Sequence, residues 1–97
     1  MENKAFFELV IRVLGRTKRA IEMITGSKIF YEKETLVISD IKASNKVKNI
    51  HIKLNGLDLI DVFYLDKAGK VIKTDKDVHI DQLKEFIEKE SEVYFSL

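Results

Sequence analysis

Five basic side chains, Arg12, Arg16, Lys18, Arg19 and Lys28, crowd into the first thirty residues. Such a cluster suits the phosphates of a nucleic acid or the acidic face of a protein. If Thr17 to Thr25 were the recognition helix of a helix–turn–helix, its arginines would meet phosphates and base edges. Ala20, Ile21 and Ile24 oppose that reading, because their spacing commits them to the core and leaves few positions to read bases. The plain alternative is a solvated basic face. Asn49, His51 and Lys53 form a second constellation, alternating along one strand face with Lys46 and Lys48 close by. Left uncovered, that face is a groove for single-stranded nucleic acid, with Phe63 or Tyr64 as a stacking platform. In an ordinary antiparallel sheet it is simply the solvent side.

Other groupings carry less chemistry. His51 is expected across from Asp61, yet acid–base work also needs a nucleophile or held substrate and a water-excluding pocket, and the sequence supplies neither. A cross-strand polar contact is the simpler account. His79 lacks a partner at metal-ligand spacing. Thr25-Gly26-Ser27-Lys28 has the wrong order for a phosphate loop, which requires lysine directly after its second glycine and a strand before it. Asp75, Asp77 and Asp81 lack the glycine and bidentate glutamate of a calcium loop, so Asp81 reads as a helix cap with two surface neighbours. No catalytic residue, metal ligand or cofactor is therefore assigned.

The elements that must position these residues follow from periodicity. Asn3 to Thr25 reads as an interrupted helix: Phe6, Leu9, Val10, Val13 and Leu14 recur at helical spacing, Phe7 and Ile11 widen the apolar face, and Lys4, Glu8 and Arg12 form a polar stripe. Gly15 breaks it, Thr17 caps a second short helix, and Gly26 ends that helix. Strands are expected at Lys28 to Tyr31 and Thr35 to Ile41, joined by a polar turn. Val47 to Leu65 then forms the central hairpin. Ile50, Ile52 and Leu54 alternate with polar residues, Asn55-Gly56 offers positive φ for the reversal, and the apolar run from Leu59 to Leu65 suits a strand covered on both faces.

Burial selects the hairpin register, because a one-residue slip turns every side chain over. A loop of Asn55, Gly56 and Leu57 pairs Ile52 with Ile60 and Ile50 with Val62; the expected connection is three or five residues with a bulge. Val71 to Thr74 reads as an edge strand flanked by lysines. A helix from Asp81 to Glu90 and a short extended segment from Val93 to Leu97 close the chain. The expected fold is one α+β domain over residues 1–97: an antiparallel sheet of four to five strands carrying the interrupted N-terminal helix and a C-terminal helix.

Bulk properties narrow the function classes. The chain has 97 residues, 45% of them hydrophobic and 34% charged, with a net charge of +1. These are globular values, and near-neutrality removes the simplest case for a nucleic-acid or membrane partner. Charge is nonetheless polarised. Residues 1–30 carry six basic and three acidic side chains, residues 61–97 six basic and nine acidic. Without cysteine there is neither a disulfide nor a thiolate site, which fits a reducing cytoplasm. No apolar run approaches a membrane span, and the N-terminus lacks the order of a signal peptide.

The runs Met23 to Phe30, Val47 to Ile52, Leu54 to Asp61 and Asp77 to Leu83 resemble those of small uncharacterised proteins encoded by bacteriophages, prophages and other mobile elements. Ile60 and His79 depart from that pattern, since an aromatic often stands at both places. The resemblance brings no activity with it. It implies a small accessory protein in the cytoplasm of a bacterial host cell, where binding host or phage macromolecules is a common task. The expected function is thus a non-catalytic module that binds a host or phage protein, with inhibition of that protein as one possible consequence; the alternative is nucleic-acid binding through the cluster from Arg12 to Lys28. Arg12, Arg16, Lys18, Arg19, Lys28, Asn49, His51 and Lys53 are the candidate contacts. Exposed edges at Val71 to Thr74 or Val93 to Leu97 would also let two copies pair as a homodimer.

Overall fold

A computed structural model describes residues 3–15 and 17–93. Two helices, α1 (Asn3–Gly15) and α2 (Lys18–Thr25), lead into five strands, β1 (Lys28–Glu32), β2 (Thr35–Ser39), β3 (Asn49–Leu54), β4 (Ile60–Leu65) and β5 (Val71–Val78). A 3₁₀ turn (Ile80–Gln82) then opens α3 (Leu83–Ser91). The strands form one antiparallel sheet in the order β1-β2-β3-β4-β5, so each neighbour in sequence is a neighbour in space. This is the α+β arrangement expected. Arg16 and the segment Tyr94 to Leu97 lie outside the described residues, although Val93 before it is buried.

One face of the sheet makes the core. Ile29, Leu36, Ile38, Ile50, Ile52, Ile60, Val62, Tyr64 and Val78 bury themselves there against Phe7, Val10 and Leu14 of α1, Ile21 of α2, and Leu83 and Ile87 of α3. Ile50 and Ile52 are fully covered. Burying each such side chain stabilises the fold by about 2 kcal/mol relative to leaving it in water, and this fixes which face of the central hairpin turns inward.

The helix boundaries have local causes. Thr17 caps α2, its Oγ1 accepting the Ala20 N–H at 3.1 Å. Gly26 ends α2 in the left-handed region at φ 68°. The Thr25 hydroxyl donates to the Ile21 carbonyl and lies 2.6 Å from the Ser27 Oγ, so two buried hydroxyls satisfy each other where α2 passes into β1. Asp81 does not cap α3: it lies within the 3₁₀ turn, and no side chain caps either that turn or α3.

The hairpin loop is the five-residue one, Asn55 to Leu59, and it moves the register by two from the pairing expected for a three-residue loop. Ile52 faces Val62 and Ile50 faces Tyr64. A two-residue shift conserves the buried face, because side chains alternate with period two. The reversal uses positive φ at Asp58, not at Asn55 or Gly56. Asn55 contributes hydrogen bonds instead: its Oδ1 accepts from the Leu57 and Leu59 N–H groups, and its Nδ2 donates to Asp61 and Asp77. No register irregularity interrupts β3 and β4; two occur between β4 and β5. β4 is buried on alternate residues only, so it is covered on one face and not on both. β5 forms the expected edge but runs on to Val78.

Candidate binding surfaces

Two surfaces remain after the core is built. The first lies along the β1 edge of the sheet, where α1 and β1 flank a groove of about 520 Å³. Lys4, Phe7, Glu8, Ile11 and Arg12 recur every three or four residues and so turn one side of α1 toward it. Ile29, Phe30 and Tyr31 contribute from β1, with Lys18 at the start of α2 and Leu36 on β2. The Phe7 and Tyr31 rings sit 4.8 Å apart. Two exposed aromatic side chains lie here, Phe30 at 44% and Tyr31 at 54%, whereas the other exposed apolar residues, Leu9, Met23, Leu57, Val71 and Ile72, stand outside the groove lining.

The groove is basic at its rim. Lys4, Arg12 and Lys18 stand against one carboxylate, Glu8. Among the described residues, neither Arg12 nor Lys18 is within ion-pair distance of a carboxylate. The structure therefore brings Arg12 and Lys18 together on one site. Arg19 and Lys28 are exposed but outside the groove lining, so the basic cluster is divided. The short helix α2 is poorly suited to enter a DNA groove as a reading element, since Ile21 and Thr25 are buried and Ala20, Glu22 and Ile24 partly so.

The second surface is the sheet face opposite the helices. Phe30, Val37, His51, Phe63 and Thr74 stand in one cross-strand row there. Val37 is nearly covered yet belongs to no part of the helix-side core, so its cover comes from its neighbours in that row. Asn49 and Lys53 lie on the same face, two residues along β3 to either side of His51. His51 faces Phe63, and Asp61 faces Lys53. The expected His51–Asp61 pairing is thus replaced by a diagonal relation, a direct consequence of the two-residue shift.

Partial burial pulls the His51 pKa below the usual histidine value; Glu32 opposes this and Lys53 adds to it. Phe63 can serve as a platform on this face. Tyr64 cannot: it is fully buried on the other face, and its hydroxyl donates to Asp75 at 3.0 Å. Burial, followed by the charge of Asp75, drives the Tyr64 pKa strongly upward.

The remaining sequence candidates are structural in geometry. Asp77 is bound to Asn55, and its own N–H donates to Asp61. Asp75 serves Tyr64, and no group of three or more His, Asp or Glu among the described residues is placed to hold a metal ion. No helix among them is long and apolar enough to cross a membrane. The sequence reading missed the part that Phe30 and Tyr31 play in the groove. Their signal was present: adjacent aromatics in a strand turn to opposite faces, so both are covered only if both faces are.

No protein-family model matches the chain, and neither the curated proteins nor the solved structures yield a match.

Proposed function

We propose that this chain is a non-catalytic protein-binding module, a small accessory protein of the phage or mobile-element type, which docks on a host or phage protein through the α1–β1 groove. The observation that carries this reading is the exposure of Phe30 and Tyr31 beside a concave, apolar-floored surface. Aromatic side chains exposed next to a pocket are costly in water and are the kind of anchor that protein interfaces use. Inhibition would follow wherever the docked surface is one the partner needs.

Nucleic-acid binding is the second reading, and the row of Phe30, His51 and Phe63 on a sheet face without helices favours it. Lys28 and Lys53 on that face supply phosphate contacts, and the rings supply stacking. One experiment separates the two. A photoreactive phenylalanine analogue is placed at Tyr31 in one sample and at Phe63 in another, and each is irradiated in bacterial lysate with and without nuclease. Protein adducts that form from Tyr31 and survive nuclease support the first reading. Adducts that form from Phe63 alone and vanish with nuclease overturn it in favour of the second.

A further inference from the structure

Resting on that protein-binding reading, we infer that the α1–β1 groove receives an extended, acidic and apolar segment of its partner, which joins the sheet as a sixth strand beside β1. The argument begins with hydrogen-bond parity. Lys33 and Glu34 form a two-residue turn with φ of 47° and 64°, so Glu32 and Thr35 close the β1–β2 hairpin as a bonded pair. Phe30 and Lys28 then also bond to β2, while Ile29 and Tyr31 turn their peptide groups away from the sheet. The position of Glu22 agrees with this, because its carboxylate accepts the outward Ile29 N–H at 2.7 Å. Glu22 thereby closes the edge at the start of β1. The Ile29 carbonyl and both peptide groups of Tyr31 have no hydrogen-bond partner among the described residues, and they stand at the groove.

The two edges of the sheet differ in how they are guarded. β5 carries two register irregularities together with Lys73, Asp75, Lys76 and Asp77, devices that discourage another strand from pairing. β1 has the apolar run Ile29-Phe30-Tyr31 at its centre and no irregularity. Strand addition at such an edge gives affinity through the main chain and specificity through alternate side chains. One set of side chains would enter the floor formed by Phe7, Ile11 and Leu36, and the other would pass Phe30.

Charge names the occupant. With Lys4, Arg12 and Lys18 against Glu8, the rim is complementary to acidic residues. A second copy paired edge to edge through β1 would set two basic rims against each other, so the segment comes from a different protein.

The test selects random twelve-residue peptides displayed on phage against the folded protein, then measures synthetic winners by fluorescence anisotropy. Tyr31→Pro removes the outward N–H without touching the β1–β2 ladder, and Tyr31→Ala trims the ring while keeping that N–H; thermal unfolding checks that both variants fold. Winners are expected to alternate apolar with acidic residues and to bind Tyr31→Pro roughly fivefold more weakly than Tyr31→Ala, the effect of one lost hydrogen bond. They should also lose roughly tenfold or more against Arg12→Glu combined with Lys18→Glu. Equal binding to the proline and alanine variants would overturn strand addition, and winners without acidic residues would overturn the acidic occupant; either leaves protein binding by another mode intact. A selection that enriches nothing, from a protein that instead binds labelled oligonucleotides in a salt-dependent way, would overturn both readings.

Discussion

Replacing Tyr64 with phenylalanine tests how the helix-side core tolerates polar groups. Tyr64 is fully buried, and its hydroxyl donates to the Asp75 carboxylate at 3.0 Å. Phenylalanine keeps the ring and its apolar burial but leaves Asp75 without that donor. A hydrogen bond to a charged group contributes about 1.5–3 kcal/mol. Asp75 is only half-buried, so water takes over part of the role, and the lower end applies: about 1.5 kcal/mol. For a domain of this size that lowers Tm by roughly 6–12 °C.

The pH dependence supplies an independent arm. Burial and Asp75 raise the folded-state pKa of Tyr64, whereas an unfolded tyrosine ionises near pH 10. The stabilisation is complete below pH 10 and is lost as pH rises above it, because there the unfolded state sheds the proton that the folded state retains. Urea unfolding of wild type and Tyr64→Phe at pH 7, 9 and 10.5 measures both effects. The gap between the two proteins should narrow at the highest pH. A cost below about 0.5 kcal/mol at pH 7 would refute the assignment of Asp75 as the partner that matters, and a gap constant with pH would refute burial of the phenol in its un-ionised form.

Three further outcomes follow from local geometry. Gly26→Ala should cost about 1–2 kcal/mol in chemical denaturation, since a side chain there must adopt φ 68° with its Cβ 3.0 Å from the Lys42 Cβ. Asn55→Ala removes four side-chain hydrogen bonds from the β3–β4 loop and its tie to β5, and should cost about 2 kcal/mol, with faster hydrogen exchange at Leu57 and Leu59. His51 has a lowered pKa, so its neutral form is the one the fold accommodates. Its contribution is complete above the unfolded histidine value near 6.5 and is lost as pH falls through the lower folded value; stability of His51→Gln should therefore fall less than that of wild type between pH 7 and pH 5.

Much of the molecule is legible in its residues because one constraint dominates each element. Alternation at Ile50, Ile52 and Leu54 can be buried in only one way. Thr17 and Gly26 mark the ends of α2 because a side-chain acceptor and a left-handed residue are needed where helical hydrogen bonds run out. The hairpin register was recoverable only to within two residues: three- and five-residue loops bury the same face, and the choice between them lies in the Asn55 hydrogen bonds to Asp61 and Asp77. Asp77 is twenty-two residues away in the chain, so no local pattern reports that contact.

The candidate sites divide along the same line. Lys4, Glu8 and Arg12 could be read as a stripe from their spacing, and Asn49, His51 and Lys53 as one strand face. That Arg12 and Lys18 share a groove with Phe30, Tyr31 and Leu36, while Arg19 and Lys28 stand outside it, was decided when α1 lay against the β1 edge of the sheet. That Tyr64 turns inward and Phe63 outward came from the paired strands choosing which face meets the helices. Periodicity reports which residues share a face, since that is a property of one element; which faces meet is a property of the whole core, and only the tertiary structure contains it.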